Sequence, residues 1–355
     1  MKTKTLCASA LLFAPALLAF QPRATSIAFT VSEGTSNTKT FTNSMTMSLD
    51  DMQMLLNGNE SPMMPQIDMT IQSGLTIGVS DEYVKMGDGA PATLKRTYDS
   101  LEQTREMEME MDIMGQVQNQ DSSTGSESEL LGETVIFTLS EGEYVPSFAE
   151  GEGDEKLLEN LAEDLDLRGL LPDGEVEEGA EWKIDPIVLK DILVPGGDLK
   201  FIPEEADGED MMGMDSEMGD FEDWFSDDIE GEILATFTGM KETDEGKKVA
   251  VITISVELAN AVDLTEKMQE GLENADLPPE AGDMEMNSMD IEMELEGEAT
   301  LLWDLTAGCA HSFEMDSEIS LLVDMSMSVS AQGMDMDIDQ SMEFSGSMNA
   351  TASIE

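Results

Sequence analysis

Met334-Asp335-Met336-Asp337-Ile338-Asp339 opens a run that continues to Ile354. Every odd position of it is polar, and every even position except Gln340 is apolar or small. Side chains on an extended backbone point alternately to opposite faces, so this period of two predicts a β-strand with one buried and one wet side. At a rise of ~3.3 Å per residue the run spans about 70 Å. It reads as one bent strand or as two strands with a kink at Gly346.

Two preceding stretches repeat the pattern. Met289, Ile291, Met293, Leu295, Ala299, Leu301 and Trp303 share a face opposite Asp290, Glu292, Glu294, Glu296 and Glu298. Met315, Ile319, Leu321, Val323, Met325, Met327 and Val329 face away from Asp316, Glu318 and Asp324. Thr306-Ala307-Gly308 and Ala331-Gln332-Gly333 separate the runs as turns, which predicts an antiparallel meander. The N-terminal half behaves alike, with Ile67, Met69, Ile71, Leu75, Ile77 and Val79 in one strand and Met107, Met109, Met111 and Ile113 in another. Shorter strands are expected at 27–32, 40–49, 93–101, 133–139, 232–239 and 248–258.

The expected fold is therefore mainly β within an α+β class: long antiparallel curved sheets, as two similar units or one half-barrel, with a few central helices. Asp154 is placed to cap a helix over 155–168 with Leu157, Leu158, Leu161 and Leu165 on one stripe. Asp185-Pro186 opens a short helix to Leu193, stopped at Pro195-Gly196-Gly197. Asp263 and Glu266 start another over 264–274. Residues 115–129, 203–230 and 275–283 read as loops.

Residues 1–26 read as a secretory signal. Lys2 and Lys4 precede an apolar run from Leu6 to Phe20 that is too short for a membrane span, and processing is expected after Ser26, with Ala19 as the alternative point. The organisation that follows is an N-terminal β unit with helices at 27–202, an acidic Met-rich loop at 203–230 and a C-terminal meander at 231–355. The expected location is periplasmic, cell-surface or extracellular. No later stretch is apolar enough for a membrane-spanning helix. After removal of the signal, Cys309 is the one cysteine, expected as a buried apolar group.

The chain has 77 acidic and 17 basic residues and a net charge of −60; removing Lys2, Lys4 and Arg23 leaves −63. Such a field argues against nucleic acid and anionic surfaces as partners and favours weak binding of cations. The acidic clusters lack the Asp-x-Asp-x-Asp-Gly spacing of a calcium loop. Three Trp and three Tyr are too few for the two aromatic girdles of a membrane barrel. Gly-x-Ser-x-Gly, His-Glu-x-x-His, phosphate-loop and dinucleotide motifs are missing, and His311 is the single histidine, so no enzyme and no imidazole-built metal site is expected.

Methionine stands out, at 30 of 355 residues. On strands, Met-x-Met places both thioethers on one face, where flexible, polarisable side chains suit either a core or an adaptable surface for apolar ligands. Met107, Met109, Met111, Met289, Met293, Met325 and Met327 are the candidates for a concave face that binds a lipid, a lipidated chain or a protein partner. Met211, Met212, Met214 and Met218 fall in the acidic loop and are candidate soft ligands for Cu(I), making copper or divalent-cation sequestration the alternative reading. A structural cell-surface role is the third. No cofactor is expected.

Pro172, Val176, Gly179 and Trp182 form a Pro-x-x-x-Val-x-x-Gly-x-x-Trp pattern that resembles a signature of uncharacterised exported bacterial proteins, planctomycete ones among them. Leu302-Trp303-Asp304 with Gly308 is similar to a strand-turn those proteins carry. The resemblance implies a half-barrel like that of periplasmic lipoprotein carriers, and no activity. The residues explain themselves physically as a corner: glycines for the turn and Trp182 as its apolar anchor.

Overall fold

The computed structural model describes residues 24–60, 66–113, 116–151, 153–203, 229–274, 283–331 and 334–355. The long runs form strands of 21 to 23 residues: β2 (Ser36–Leu56), β4 (Gln66–Met86), β5 (Pro91–Ile113), β14 (Asp283–Asp304), β15 (Cys309–Ala331) and β16 (Met334–Ile354). The shorter strands are β1 (Thr25–Ser26), β3 (Asn59–Glu60), β6 (Gln116–Ser128), β7 (Thr134–Ser140), β8 (Glu143–Phe148), β9 (Glu175–Val176), β10 (Glu181–Ile184), β11 (Phe201–Pro203), β12 (Glu230–Glu242) and β13 (Lys248–Asp263).

One large open antiparallel sheet runs β10-β12-β13-β14-β15-β16-β2-β4-β5-β6-β11. Its two meanders join where β16 pairs with β2, so strands from opposite ends of the sequence lie side by side. The register keeps apolar rows continuous: Met293 faces Leu321, which faces Phe344, which faces Leu49. The single run from 334 to 354 is one strand, with an irregularity between Glu343 and Phe344. At Gly346 a Cβ would lie 2.9 Å from the Met47 Cα, so β2 approaches β16 closely there and requires glycine.

The turns follow their chemistry. Asp304 Oδ1 accepts from the backbone N–H groups of Thr306 (2.7 Å) and Ala307 (3.0 Å), and Gly308 closes the turn at φ 72°. Thr30 N donates to Gly308 O at 2.9 Å, laying the N-terminal segment along this turn. Within 27–32, Ile27, Phe29 and Val31 are buried and alternate with exposed residues, but no ladder forms there. The strand lies just before this segment: β1, paired with β9.

Helix α1 (Val188–Leu193) and helix α2 (Thr265–Asn274) lie where expected. Asp263 Oδ1 accepts from Thr265 N at 2.9 Å. Helix α2 is fixed to an irregularity in β14: Met286 N donates to Gln269 Oε1 (2.8 Å) and Met289 N to Thr265 Oγ1 (3.0 Å).

Two further expectations are corrected. Residues 155–168 do not form a helix; 3₁₀ turns occupy Glu155–Leu158 and Arg168–Leu170, and Asn160 and Leu167 have φ of 63° and 57°. The carbonyls of Ala162 and Glu163, which a helix would consume, accept from Arg96 instead, and three neighbouring carboxylates reach bases. Tertiary bonds to the sheet override the leucine spacing. Residues 115–129 are not a loop: 116–128 is strand β6, hydrogen-bonded along β5 from Gln103 to Ile113. It sits near the sheet margin, where a backbone ladder suffices and no apolar alternation is needed. Residues 204–228 and 275–282 of the other two expected loops lie outside the described residues.

Candidate functional site

The inner sheet face carries the core, from Trp303, Leu301 and Phe313 through Ile77, Tyr83 and Leu94. Residues 154–200 cover one part of it and contribute Leu165, Leu170, Leu189, Ile192, Leu193 and Leu199. Trp182 anchors this cover, donating from Nε1 to Leu170 O at 3.1 Å, while Gly179 (φ 88°) lets its backbone bond to Phe237. The Pro172–Trp182 stretch is thus a structural corner in this fold.

The cover is held by a buried ionic cluster. Lys39, Asp81, Arg96 and Asp166 are all 0–1% exposed. Lys39 Nζ lies 2.5 Å from Asp166 Oδ1 and 2.7 Å from Asp81 Oδ2. Arg96 forks onto Asp81 through Nε and a terminal nitrogen, both at 2.8 Å, and donates to Ala162 O (3.1 Å) and Glu163 O (2.9 Å). Arg168 binds Asp166 at 3.0 Å and also Glu163, while the Tyr83 hydroxyl donates to Asp166. Burial works against the Lys39 ammonium, but Asp166 and Asp81 outweigh it and hold the amine above its usual range. Burial would also raise the Asp81 carboxyl, yet Arg96 and Lys39 overcome it and hold it at about 2. Lys39, Arg96 and Arg168 each pair with at least one carboxylate, so the cluster acts as a clamp between the cover and the sheet.

Beyond the clamp the cover lifts away from the sheet and leaves a cavity of about 560 Å³. Its floor is the middle of the sheet: Met45 and Met47 of β2, Ile71, Ser73 and Leu75 of β4, Gln103 and Arg105 of β5, Leu321 of β15, and Phe344 and Met348 of β16. Its roof is the strap 193–203. The strap is tied at both ends. Asn43 Nδ2 donates to Ile192 O (3.1 Å) and Leu193 O (2.7 Å). At the other end Ser128 Oγ donates to Leu199 O, and β11 pairs with β6. Gly196 and Gly197, with φ of 89° and 74°, let the chain turn between the ties.

Sequence reasoning put the ligand face on seven methionines, and none of them lines this cavity. Met109, Met289 and Met293 are buried in the core, and Met107, Met111, Met325 and Met327 are half-buried against it. The methionines of the cavity wall are Met45, Met47 and Met348. Met211, Met212, Met214 and Met218 lie outside the described residues. Among the described residues no group of three or more His, Cys, Asp or Glu side chains is placed to hold a metal ion. None of their helices is long and apolar enough to cross a membrane. Cys309 is free and 6% exposed; burial, then Asp166 and Asp304, pushes its thiol up to about 11.

The clamp escaped sequence reasoning, though its signal was there. Lys39 is in phase with Phe41, Met45 and Met47, and Asp81 with Ile77, Val79 and Tyr83, so both are charged groups on the inward parity. Comparison with known proteins finds no family model and no curated protein that matches this chain.

Proposed function

We propose that this chain is a noncatalytic exported binding protein that holds an apolar or amphipathic small ligand between the sheet and the strap 193–203. The observation that carries the reading is the cavity itself: about 560 Å³ of space, floored by Met, Ile, Leu and Phe side chains, in a region otherwise filled by core. That volume falls within the ~300–1,000 Å³ of small-molecule sites. A flexible thioether wall adapts to ligands of varied shape. Each methylene moved from water into such a wall contributes about 0.8 kcal/mol, so one alkyl chain supplies ample driving force. Export rests on the apolar run at 6–20. The pairing of Thr25 and Ser26 with Val176 and Glu175 favours processing at the earlier point, after Ala19.

The test is chemical. Organic extraction of the purified protein followed by mass spectrometry is expected to release a stoichiometric amphiphile. Ser73→Trp, which places an indole in the cavity floor, is expected to reduce that yield severalfold without shifting the unfolding midpoint. Extracts empty in both proteins, together with no uptake of an added alkyl probe, would refute the reading.

A further inference from the structure

Resting on that reading, we propose that the cavity selects amphiphiles with an anionic oxygen head, and that Arg105 is the residue that recognises the head. The ligand class is a single alkyl chain ending in a carboxylate or a phosphate monoester.

The argument begins with charge. Across the chain 77 acids face 17 bases, more than four to one. In the cavity wall the ratio inverts: Arg105 and Lys200 stand against Asp198 alone. Lys200 is already neutralised, because its ammonium pairs with Asp198, whose other oxygen accepts Lys200 N at 3.0 Å. Among the described residues no carboxylate pairs with Arg105. Each of the three guanidinium and ammonium groups of the clamp, by contrast, is matched to a carboxylate. A guanidinium with no carboxylate partner among the described residues, set in a cavity wall, is suited to bind an anion.

Its setting fits the same ligand. Arg105 shares the inward face of β5 with Gln103 and Met107, is half-buried, and stands opposite Ser73 on β4 and Thr124 on β6. These neighbours supply hydroxyl and amide groups and no competing charge. The wall is therefore two-ended. Arg105, Gln103 and Thr124 make a polar end toward β6, while Met47, Phe344 and Leu321 make an apolar end toward β15. An amphiphile lying across the strands meets its head at one end and its tail at the other.

The experiment compares laurate, dodecyl phosphate and dodecanol, three probes of one chain length, by calorimetry at fixed salt on the full chain. Wild type is expected to bind the better anion at least about tenfold more tightly than dodecanol, the scale of one charge-assisted hydrogen bond. Whichever anion binds more tightly identifies the head. Arg105→Gln is expected to abolish that gap and leave dodecanol within about twofold of wild type; Arg105→Lys is expected to keep part of it, because the charge remains while the fork is lost. A gap that survives Arg105→Gln, or dodecanol equal to both anions in wild type, would overturn the assignment and leave the binding reading intact. Failure of all three probes to bind would overturn both.

Discussion

Replacing Arg96 by methionine should be the most destabilising single change in the clamp. The guanidinium supplies two 2.8 Å bonds to Asp81 and the only donors to Ala162 O and Glu163 O seen among the described residues. Its removal leaves Asp81 held by Lys39 alone and two covered carbonyls without donors. Breaking a buried pair by deleting one partner costs about 3–5 kcal/mol. A buried carbonyl stripped of its donor adds about 1–3 kcal/mol where no water replaces it. We expect Arg96→Met to cost about 5 kcal/mol. Lys39→Met should cost less, about 3 kcal/mol by the same scale, because Asp81 keeps the Arg96 fork and Asp166 keeps Arg168 and Tyr83. Against a typical total of about 5–15 kcal/mol, either loss is large. Urea unfolding followed by tryptophan fluorescence measures both, and limited proteolysis should expose 154–170 first in Arg96→Met. If Arg96→Met costs no more than Lys39→Met, or if either lies within about 1 kcal/mol of wild type, the clamp account is wrong.

Other outcomes follow from the same structure. Asp81 titrates at about 2 when folded, against an ordinary value of 3.8, so its contribution is fully present above pH 4 and is lost as pH falls from about 4 toward 2; Asp81→Asn should flatten that part of the acid unfolding curve. On the outer face Glu257, Glu296 and Glu318 lie side by side on β13, β14 and β15. Glu296→Lys should stabilise the protein by about 1 kcal/mol at low salt, and the gain should shrink as the Debye length falls from about 30 Å at 0.01 M to about 3 Å at 1 M. Cys309 should resist Ellman's reagent in the native protein at pH 8 and react fully in urea, because burial raises its pKa to about 11.

The extended strands were legible because a one-sided sheet writes its geometry into every second residue. Met289 to Trp303 and Met334 to Ile354 needed no tertiary information to be recognised. Strand β6 was hidden because a polar strand near the sheet margin carries no alternation; Gln116 to Ser128 is a strand only by virtue of β5 beside it. The stretch 155–168 misled because Leu157, Leu158, Leu161 and Leu165 have helical spacing, while the bonds that decide its path come from Arg96 on β5 and from its own Arg168. The cavity could not be read from sequence at all. Its position depends on where the strap 193–203 crosses the sheet, set by Asn43 at one end and Ser128 at the other. Met107 and Met109 share β5 with Arg105 but lie in or against the core, and Met289 and Met293 lie on β14, which does not reach the cavity wall.

Calorimetric titration of the native chain with an alkyl probe, repeated at several temperatures, asks most directly whether the space beneath the strap receives a ligand. A single saturable site whose binding enthalpy becomes more favourable on warming is expected, since withdrawing apolar surface from water lowers the heat capacity. No saturable heat, or a site unaffected by Ser73→Trp, would mean that the space beneath the strap is a packing void and no receptor.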